Sequence, residues 1–232
     1  MKYEIFLVDV DDTVLDFHAA SSQALALAAK ACEIEWNEDY QSKFRAFNAT
    51  LWQSLERGEI TRGYLMDNRF QLFFERLGLP KTLGEKFNEV FLRHLSTTPI
   101  FMDGAEEFLQ TLGKYGRVYF VTNGTAWIQK SRFDKCGLWK YAKETFVSEV
   151  VGYDKPSPLY TQFVTEHIEN FDKSKAVWIG DSLSSDIKAA NDAGIDSIWL
   201  SKSKQTQNDI NPTYFAVDYA DIYNILGFFE KK

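Results

Sequence analysis

Short runs of nearly unbroken apolar residues, each closing on an acidic or hydroxyl-bearing residue, most constrain what this chain can fold into. Ile5-Phe6-Leu7-Val8 lies between Glu4 and Asp9. Val118-Tyr119-Phe120-Val121 leads into Thr122-Asn123-Gly124, and Ala176-Val177-Trp178-Ile179 into Gly180-Asp181. A run this short reads as a strand, and a strand without polar alternation needs both faces covered. Weaker strand signals follow at Phe146-Val147, residues 198–200 and residues 214–217, the last as an edge strand.

Helical patterns separate these runs. Residues 103–112 open with Asp103 and Glu106, spaced as a cap. Residues 127–136 follow a turn, and Ser157-Pro158 sets an N-cap before a proline at the first position of a helix reaching His167. Residues 184–193 stop at Gly194, and residues 219–228 form a last helix. From about residue 98 onward strand and helix alternate, which predicts a parallel sheet with helices on both faces. The first strand belongs to that sheet, because it too needs two covered faces. The intervening stretch lacks β alternation. Residues 19–31, rich in Ala, Leu and Gln, and residues 64–77 read as helices. The expected organisation is an α/β core from residues 1–15 and 98–232, interrupted by a helical insert over residues 16–97, with hinges near residues 15–18 and 96–99.

With 45% hydrophobic and 25% charged residues over 232 positions, the chain has the balance of a globular protein with a sizeable core. Aromatics make up 16%, and any single ring reads first as core. A net charge of −7 without a basic run excludes a nucleic-acid polymer as partner. Cys32 and Cys136 are far apart and form no CxxC, and the three histidines are scattered singly, so neither a disulfide framework nor a zinc site is expected. Acidic residues break the first apolar run, and no segment approaches the length of a membrane span, so no signal peptide and no membrane association are expected. The expectation is a cytoplasmic protein, a monomer or weak homodimer.

Open parallel sheets bind ligands beyond the carboxyl ends of their strands. Asp9 with Asp11, Thr122 with Asn123, and Asp181 followed by Asp186 all fall at such ends, and Lys155 stands just before a helix. Asp9 and Asp11 are two apart, so an extended backbone would aim both the same way. Like charges so close need a cation or a shared proton. Oxygen-only ligands suit Mg²⁺, which also binds phosphate. The chemistry that follows is attack by the Asp9 carboxylate on phosphorus, with Mg²⁺ and Lys155 offsetting the phosphoryl charge. Asp11 would protonate the leaving alcohol and then activate water. Thr122 would donate to a phosphoryl oxygen, joined by Asn123 and by backbone N–H groups after Asp11 and Thr122. Asp181 would bind the metal, and Asp186 would fix a metal-bound water or Lys155. Asp12 reads equally well as a cap of the next helix.

These residues resemble the motifs of the haloacid dehalogenase-like hydrolases. The likeness runs through Asp9-Val10-Asp11-Asp12-Thr13, Thr122-Asn123, Lys155 in Gly152-Tyr153-Asp154-Lys155-Pro156, and Gly180-Asp181-Ser182-Leu183-Ser184-Ser185-Asp186. It spans the chain and implies a Rossmann-like core with an inserted helical cap. It also implies Asp9 as nucleophile, Asp11 as acid/base, and a Mg²⁺ held by the Asp9 carboxylate, the Asp11 backbone carbonyl and Asp181. One departure is Val150, where relatives often carry an acid; little effect on the chemistry is expected. Dehalogenases of this family resemble Asp9 without the second acid, so Asp11 argues against that activity, and nothing selects a phosphomutase.

Within the family, Asn48-Ala49-Thr50-Leu51-Trp52, Gly58-Glu59-Ile60-Thr61 and Arg69-Phe70 resemble the pyrimidine nucleoside 5'-monophosphate phosphatases. That likeness implies a nucleoside monophosphate as the small phosphorylated substrate. Phe47, Asn48, Trp52 and Arg69 become expected substrate contacts, with Trp52 stacking on a base and Asn48 bonding to its edge. Core packing for Trp52 and a surface ion pair for Arg69 stand as alternatives. The other readings are a phosphatase of sugar phosphates, phosphoglycolate or flavin mononucleotide, and a binding relative without turnover.

Overall fold

The two-sided burial that the apolar runs demand is met by a parallel sheet in the computed structural model, which describes residues 2–203 and 210–228. In chain order, β1 is Ile5–Val8, followed by helices α1 (Phe17–Ala31), α2 (Glu38–Glu56), α3 (Arg62–Arg76) and α4 (Leu83–Leu95). Then come α5 (Ala105–Tyr115), β2 (Arg117–Thr122), α6 (Ala126–Cys136), β3 (Glu144–Val147), α7 (Ser148–Val151) and α8 (Pro158–His167). The chain continues through β4 (Ala176–Gly180), a π-helical turn at Leu183–Ile187, α9 (Lys188–Ala193), β5 (Asp196–Leu200), β6 (Tyr214–Ala216) and α10 (Tyr219–Leu226). Among the described residues no helix is long and apolar enough to cross a membrane.

Six strands lie in the order β3-β2-β1-β4-β5-β6, every neighbouring pair parallel. β1 is central, with Leu7 opposite Tyr119 on one side and Trp178 on the other. Successive side chains of a strand face opposite ways, and the two cores follow that rule. Phe6, Val8, Phe120, Val177 and Ile179 pack with Phe108 and Leu112 of α5, Phe133 of α6 and Ile222 of α10. Ile5, Leu7, Tyr119, Val121 and Trp178 pack with Tyr160 and Val164 of α8 and Ala189 and Ala190 of α9. The first strand is thus buried on both faces, as its sequence requires, and its far end is fixed in space.

The chain divides into two compact units. One is Met1–Asp16 with Phe101–Lys232, and the other is Phe17–Ile100. The second is helical throughout, and its interior is aromatic. Phe44 of α2 stacks on Phe70 of α3 at 4.6 Å, and Phe70 meets Phe87 and Phe91 of α4 at 4.7 and 5.2 Å. Much of the chain's aromatic content is therefore core.

Three local expectations are corrected. Asp103 does not cap α5: the residue before the helix is Gly104 at φ +76°, and no side chain caps that end. Asp12 sits in a turn at φ +60°, with its N–H bonded to the Leu15 carbonyl at 2.7 Å, well short of α1 at Phe17. An aspartate tolerates this left-handed conformation better than most residues. The helix expected over residues 184–193 begins instead with the π-helical turn.

Removing the stacked ring at Phe70→Ala is expected to lower unfolding stability by about 3–5 kcal/mol. A fall in the urea midpoint followed by far-ultraviolet circular dichroism checks it, and an unchanged midpoint would contradict a tightly packed aromatic interior.

Candidate active site

Asp9 and Asp181 come together because β1 and β4 are neighbours paired Val8 to Ile179, and Thr122 ends β2 on the other side of β1, two residues past Phe120, which pairs with Val8. Asp9 follows the last residue of β1, and its N–H continues the ladder to the Ile179 carbonyl at 2.9 Å. Thr122 ends β2, and Asp181 follows Gly180 at the end of β4. Carboxylate oxygens of Asp9, Asp181 and Asp186 lie within 4.8 Å of one another.

Asp186 reaches this cluster through the π-helical turn. A π turn places an extra residue per turn and is frequent at functional sites. Here it folds the carboxylate back over β4, where Asp186 Oδ2 accepts from the Ser182 N–H at 3.2 Å and Oδ1 from Trp178 Nε1 at 3.3 Å. Gly180 makes room, since a Cβ there would sit 2.4 Å from Asp186 Cγ.

Lys155 is 1% exposed, and its ammonium sits between two of the acids, 2.5 Å from Asp9 Oδ1 and 2.6 Å from Asp186 Oδ1. A third bond goes to the Val121 carbonyl at 2.9 Å. An ammonium has three donors, so Lys155 acts on the site by charge and by holding Asp9. The Asn123 side-chain amide clamps the Lys155 backbone, Nδ2 donating to the carbonyl at 2.9 Å and Oδ1 accepting the N–H at 2.8 Å. Of the backbone donors expected near the site, the Asp12 N–H is engaged by Leu15 and the Gly124 N–H by Thr122 Oγ1 at 3.1 Å.

The Asp11 carboxylate does not join the three. The extended backbone ends at Val8, and the turn that follows aims Asp11 elsewhere. Its Oδ1 accepts from Arg132 Nη1 at 2.5 Å and its Oδ2 from Gln129 Nε2 at 2.9 Å. Both partners lie three apart on one face of α6 and are buried. Sequence reasoning missed them. The signal available was a Gln and an Arg at helical spacing on a helix with little polar excuse for burying either.

In the helical unit, Phe47 is buried against Phe73 at 5.8 Å, with the Arg76 guanidinium 4.3 Å from its ring centre. Trp52 is half-buried, 5.5 Å from the Arg62 guanidinium. Asn48 is half-buried, and its Oδ1 has no hydrogen-bond partner among the described residues. Arg69 does not form the surface ion pair left open by the sequence. It is 4% exposed, bonds Asn88 Oδ1 through Nε and Nη2 at 3.1 and 3.0 Å, and lies over the rings of Phe70 and Phe91. Burial lowers its pKa to about 10.

Charge in the cluster is unbalanced: three carboxylates face one ammonium. Burial, with Asp186 and Asp11 nearby, pushes Asp9 up to about 8 despite Lys155. Burial and then Asp9 raise Asp181 well above the carboxylate range. Burial alone would lower the Lys155 pKa, but Asp186 and Asp9 outweigh it and the ammonium is held charged. Convergent hard oxygen donors with excess negative charge fit a divalent cation of the Mg²⁺ kind. Asp9, Asp181 and Asp186 form a group that could hold it, and Asp186 also bonds Lys155, the contact expected of it from the sequence.

Residues 3–194 match a sequence family described as haloacid dehalogenase-like hydrolase. The chain belongs to that family. Relatives agree. YfnB of Bacillus subtilis, named a HAD-hydrolase, is 34% identical over 97% of this chain and 96% of its own. Its crystal structure, bound to magnesium, superimposes with a TM-score of 0.91, covering 97% of this chain and 99% of that one. Two proteins named pyrimidine 5'-nucleotidase are also similar. PynA of Streptococcus pneumoniae is 32% identical over 97% of this chain and 96% of its own, and YjjG of Escherichia coli is 28% identical over 97% and 99%. As a haloacid dehalogenase-like hydrolase, the chain has an aspartate cluster suited to catalysis through an aspartyl phosphate.

The acid shifts carry a sign. An acid whose folded pKa is raised holds its proton longer in the folded state than in the unfolded chain, so stability falls as pH rises from its ordinary value near 3.8 toward about 8. Without divalent cations, the melting temperature is expected to drop between pH 5 and pH 8, and added Mg²⁺ to recover most of the loss at pH 8. Thermal unfolding with EDTA or Mg²⁺ measures this; a flat profile in EDTA would contradict the uncompensated cluster.

Proposed function

We propose that this haloacid dehalogenase-like hydrolase is a Mg²⁺-dependent phosphomonoesterase acting on nucleoside 5'-monophosphates, pyrimidine ones above all. The observation that supports the chemistry is the separate holding of two carboxylates at one strand end: Asp9 fixed by Lys155, and Asp11 held by Arg132 and Gln129. Dehalogenation needs the nucleophile alone. Ester cleavage also needs a proton for the leaving oxygen, and Asp11 is the group available for it.

In the first step an Asp9 oxygen attacks phosphorus and the bond to the leaving alcohol breaks, with Asp11 delivering the proton to the departing oxygen. In the second, Asp11 takes a proton from water, whose oxygen attacks the aspartyl phosphate, releasing phosphate and restoring the Asp9 carboxylate. Lys155 keeps the Asp9 oxygens oriented and offsets charge, while the Thr122 hydroxyl donates to a phosphoryl oxygen. When bound, Mg²⁺ supplies further neutralisation of the phosphoryl and carboxylate charge. Asp9 and Asp181 would hold it, with the Asp11 backbone carbonyl carried over from the family resemblance, while Asp186 fixes Lys155 beside them.

The residues expected to contact a nucleoside, Phe47, Asn48, Trp52 and Arg69, all belong to the helical unit. The similarity to PynA and YjjG supports a pyrimidine nucleotide. Asn48, whose buried Oδ1 has no hydrogen-bond partner among the described residues, carries an acceptor of the kind an N3–H of uracil or thymine would need. Trp52 offers a ring for stacking, while Phe47 and Arg69 are buried in the helical unit, Phe47 against Phe73 and Arg69 beside Asn88.

With Mg²⁺ the protein is expected to hydrolyse p-nitrophenyl phosphate, with EDTA or Asp9→Asn reducing turnover to background. Asp11→Asn should lower kcat by about 10²–10⁴-fold on an alkyl ester. A panel of phosphate monoesters should rank uridine and thymidine monophosphates above purine monophosphates, glucose phosphate, phosphoglycolate and flavin mononucleotide. Equal turnover of glucose phosphate would sink the nucleotide reading, and inactivity on every ester would sink the phosphatase.

A further inference from the structure

Arg132 is 1% exposed, yet its guanidinium is not used as a fork. Nη1 alone makes both of its hydrogen bonds, to Asp11 Oδ1 at 2.5 Å and to Gln129 Oε1 at 2.9 Å, while Nε and Nη2 have no partner among the described residues. An arginine recruited only for an ion pair favours a bidentate approach to the carboxylate. Leaving two buried donors unmet is unfavourable. The orientation is explained by what Nη1 does, which is to bridge Asp11 and Gln129.

That bridge fixes the Gln129 amide. Arginine has only donors, so the atom of Gln129 facing it must be the carbonyl oxygen, and Nε2 must face the other way. Nε2 has two hydrogens, one directed to Asp11 Oδ2 at 2.9 Å and the other to Thr122 Oγ1 at 3.0 Å. Thr122 Oγ1 also accepts from the Gly124 N–H at 3.1 Å. Both acceptor positions of the hydroxyl are then filled, and its single hydrogen remains free to be given away. Gly124 is part of the same device, because a Cβ there would lie 2.4 Å from Gln129 Nε2.

We infer that Gln129 and Arg132 are positioning residues that set two catalytic groups at once. They hold the Asp11 carboxylate in place and force the Thr122 hydroxyl to act as a donor toward the phosphoryl group. This inference rests on the phosphatase reading for what Asp11 and Thr122 do, but the hydrogen-bond directions stand on the geometry alone. Gly124, Gln129 and Arg132 are linked by it to Thr122 as one unit at the end of β2.

The test uses two near-isosteric variants of the full chain with Mg²⁺, each first checked for a cooperative thermal transition. Gln129→Glu replaces a donor by an acceptor, so the introduced carboxylate repels Asp11 and captures the Thr122 hydrogen. Arg132→Lys keeps the charge but cannot hold both partners from one rigid plane. The rate of alcohol release in the first turnover is measured for p-nitrophenyl phosphate, whose leaving group needs no proton, and for uridine monophosphate or another hydrolysed alkyl ester. Each variant is expected to lose at least about tenfold more rate on the alkyl ester than on the aryl ester, with kcat affected more than KM. Equal losses on both esters, or no loss, would overturn the inference and leave the pair a structural tie. If the wild type cleaves no ester, the phosphatase reading fails by itself. The positioning claim is then read without turnover: the side-chain amide resonances of Gln129 in ¹⁵N-labelled protein should shift in both Asp11→Asn and Thr122→Val, and a resonance indifferent to either change would overturn it.

Discussion

Three carboxylates drawn to the meeting point of two strand ends repel one another, and much of the surrounding structure exists to hold them there. Asp9 and Asp181 are brought close by backbone pairing, which their own charges oppose. Strands buried on both faces can impose such proximity, since a shift of β1 or β4 would uncover apolar surface in two cores at once. Lys155 partly relieves the repulsion and is itself over-determined, by two carboxylates, one carbonyl and the Asn123 clamp on its backbone. The negative charge it leaves uncompensated is an attraction offered to a divalent cation.

Asp11 shows the opposite solution to the same problem. Two residues from Asp9, it escapes the cluster because the chain turns sharply after β1, and its charge is met by a different cation, Arg132. The site therefore has two charge compartments, one around Lys155 and one around Arg132. Separate environments let neighbouring carboxylates differ in duty. Thr122 and Gln129 connect the compartments through neutral hydrogen bonds.

Legibility in the sequence followed the range of the interaction. Two-sided burial of a strand is written in consecutive residues, so β1, β2 and β4 could be read directly, and the alternation of strand and helix fixed the parallel sheet. The helical character of the insert was equally visible in its composition. Short devices were not. The cap expected from Asp103 was displaced by a left-handed glycine, and the π-helical turn has the same composition as the regular helix it replaces. Gln129 and Arg132 escaped notice because their partners, Asp11 and Thr122, lie outside α6, and the three-residue spacing within the helix does not say what the pair meets.

The amino-acid sequence by itself determined the α/β core, the inserted helices, and the set of carboxylates, lysine and hydroxyl that gather at strand ends, because each depends on local pattern and on the geometry common to parallel sheets. Only the tertiary structure decided which acids share a site. It brought Asp186 to Asp9 and Asp181, turned Asp11 toward α6, buried Arg69 beside Asn88 and gave Asn123 to Lys155. Those outcomes depend on side-chain direction once a strand has ended, and that direction is set by turn conformation and by neighbours far along the chain, neither of which leaves a periodic trace.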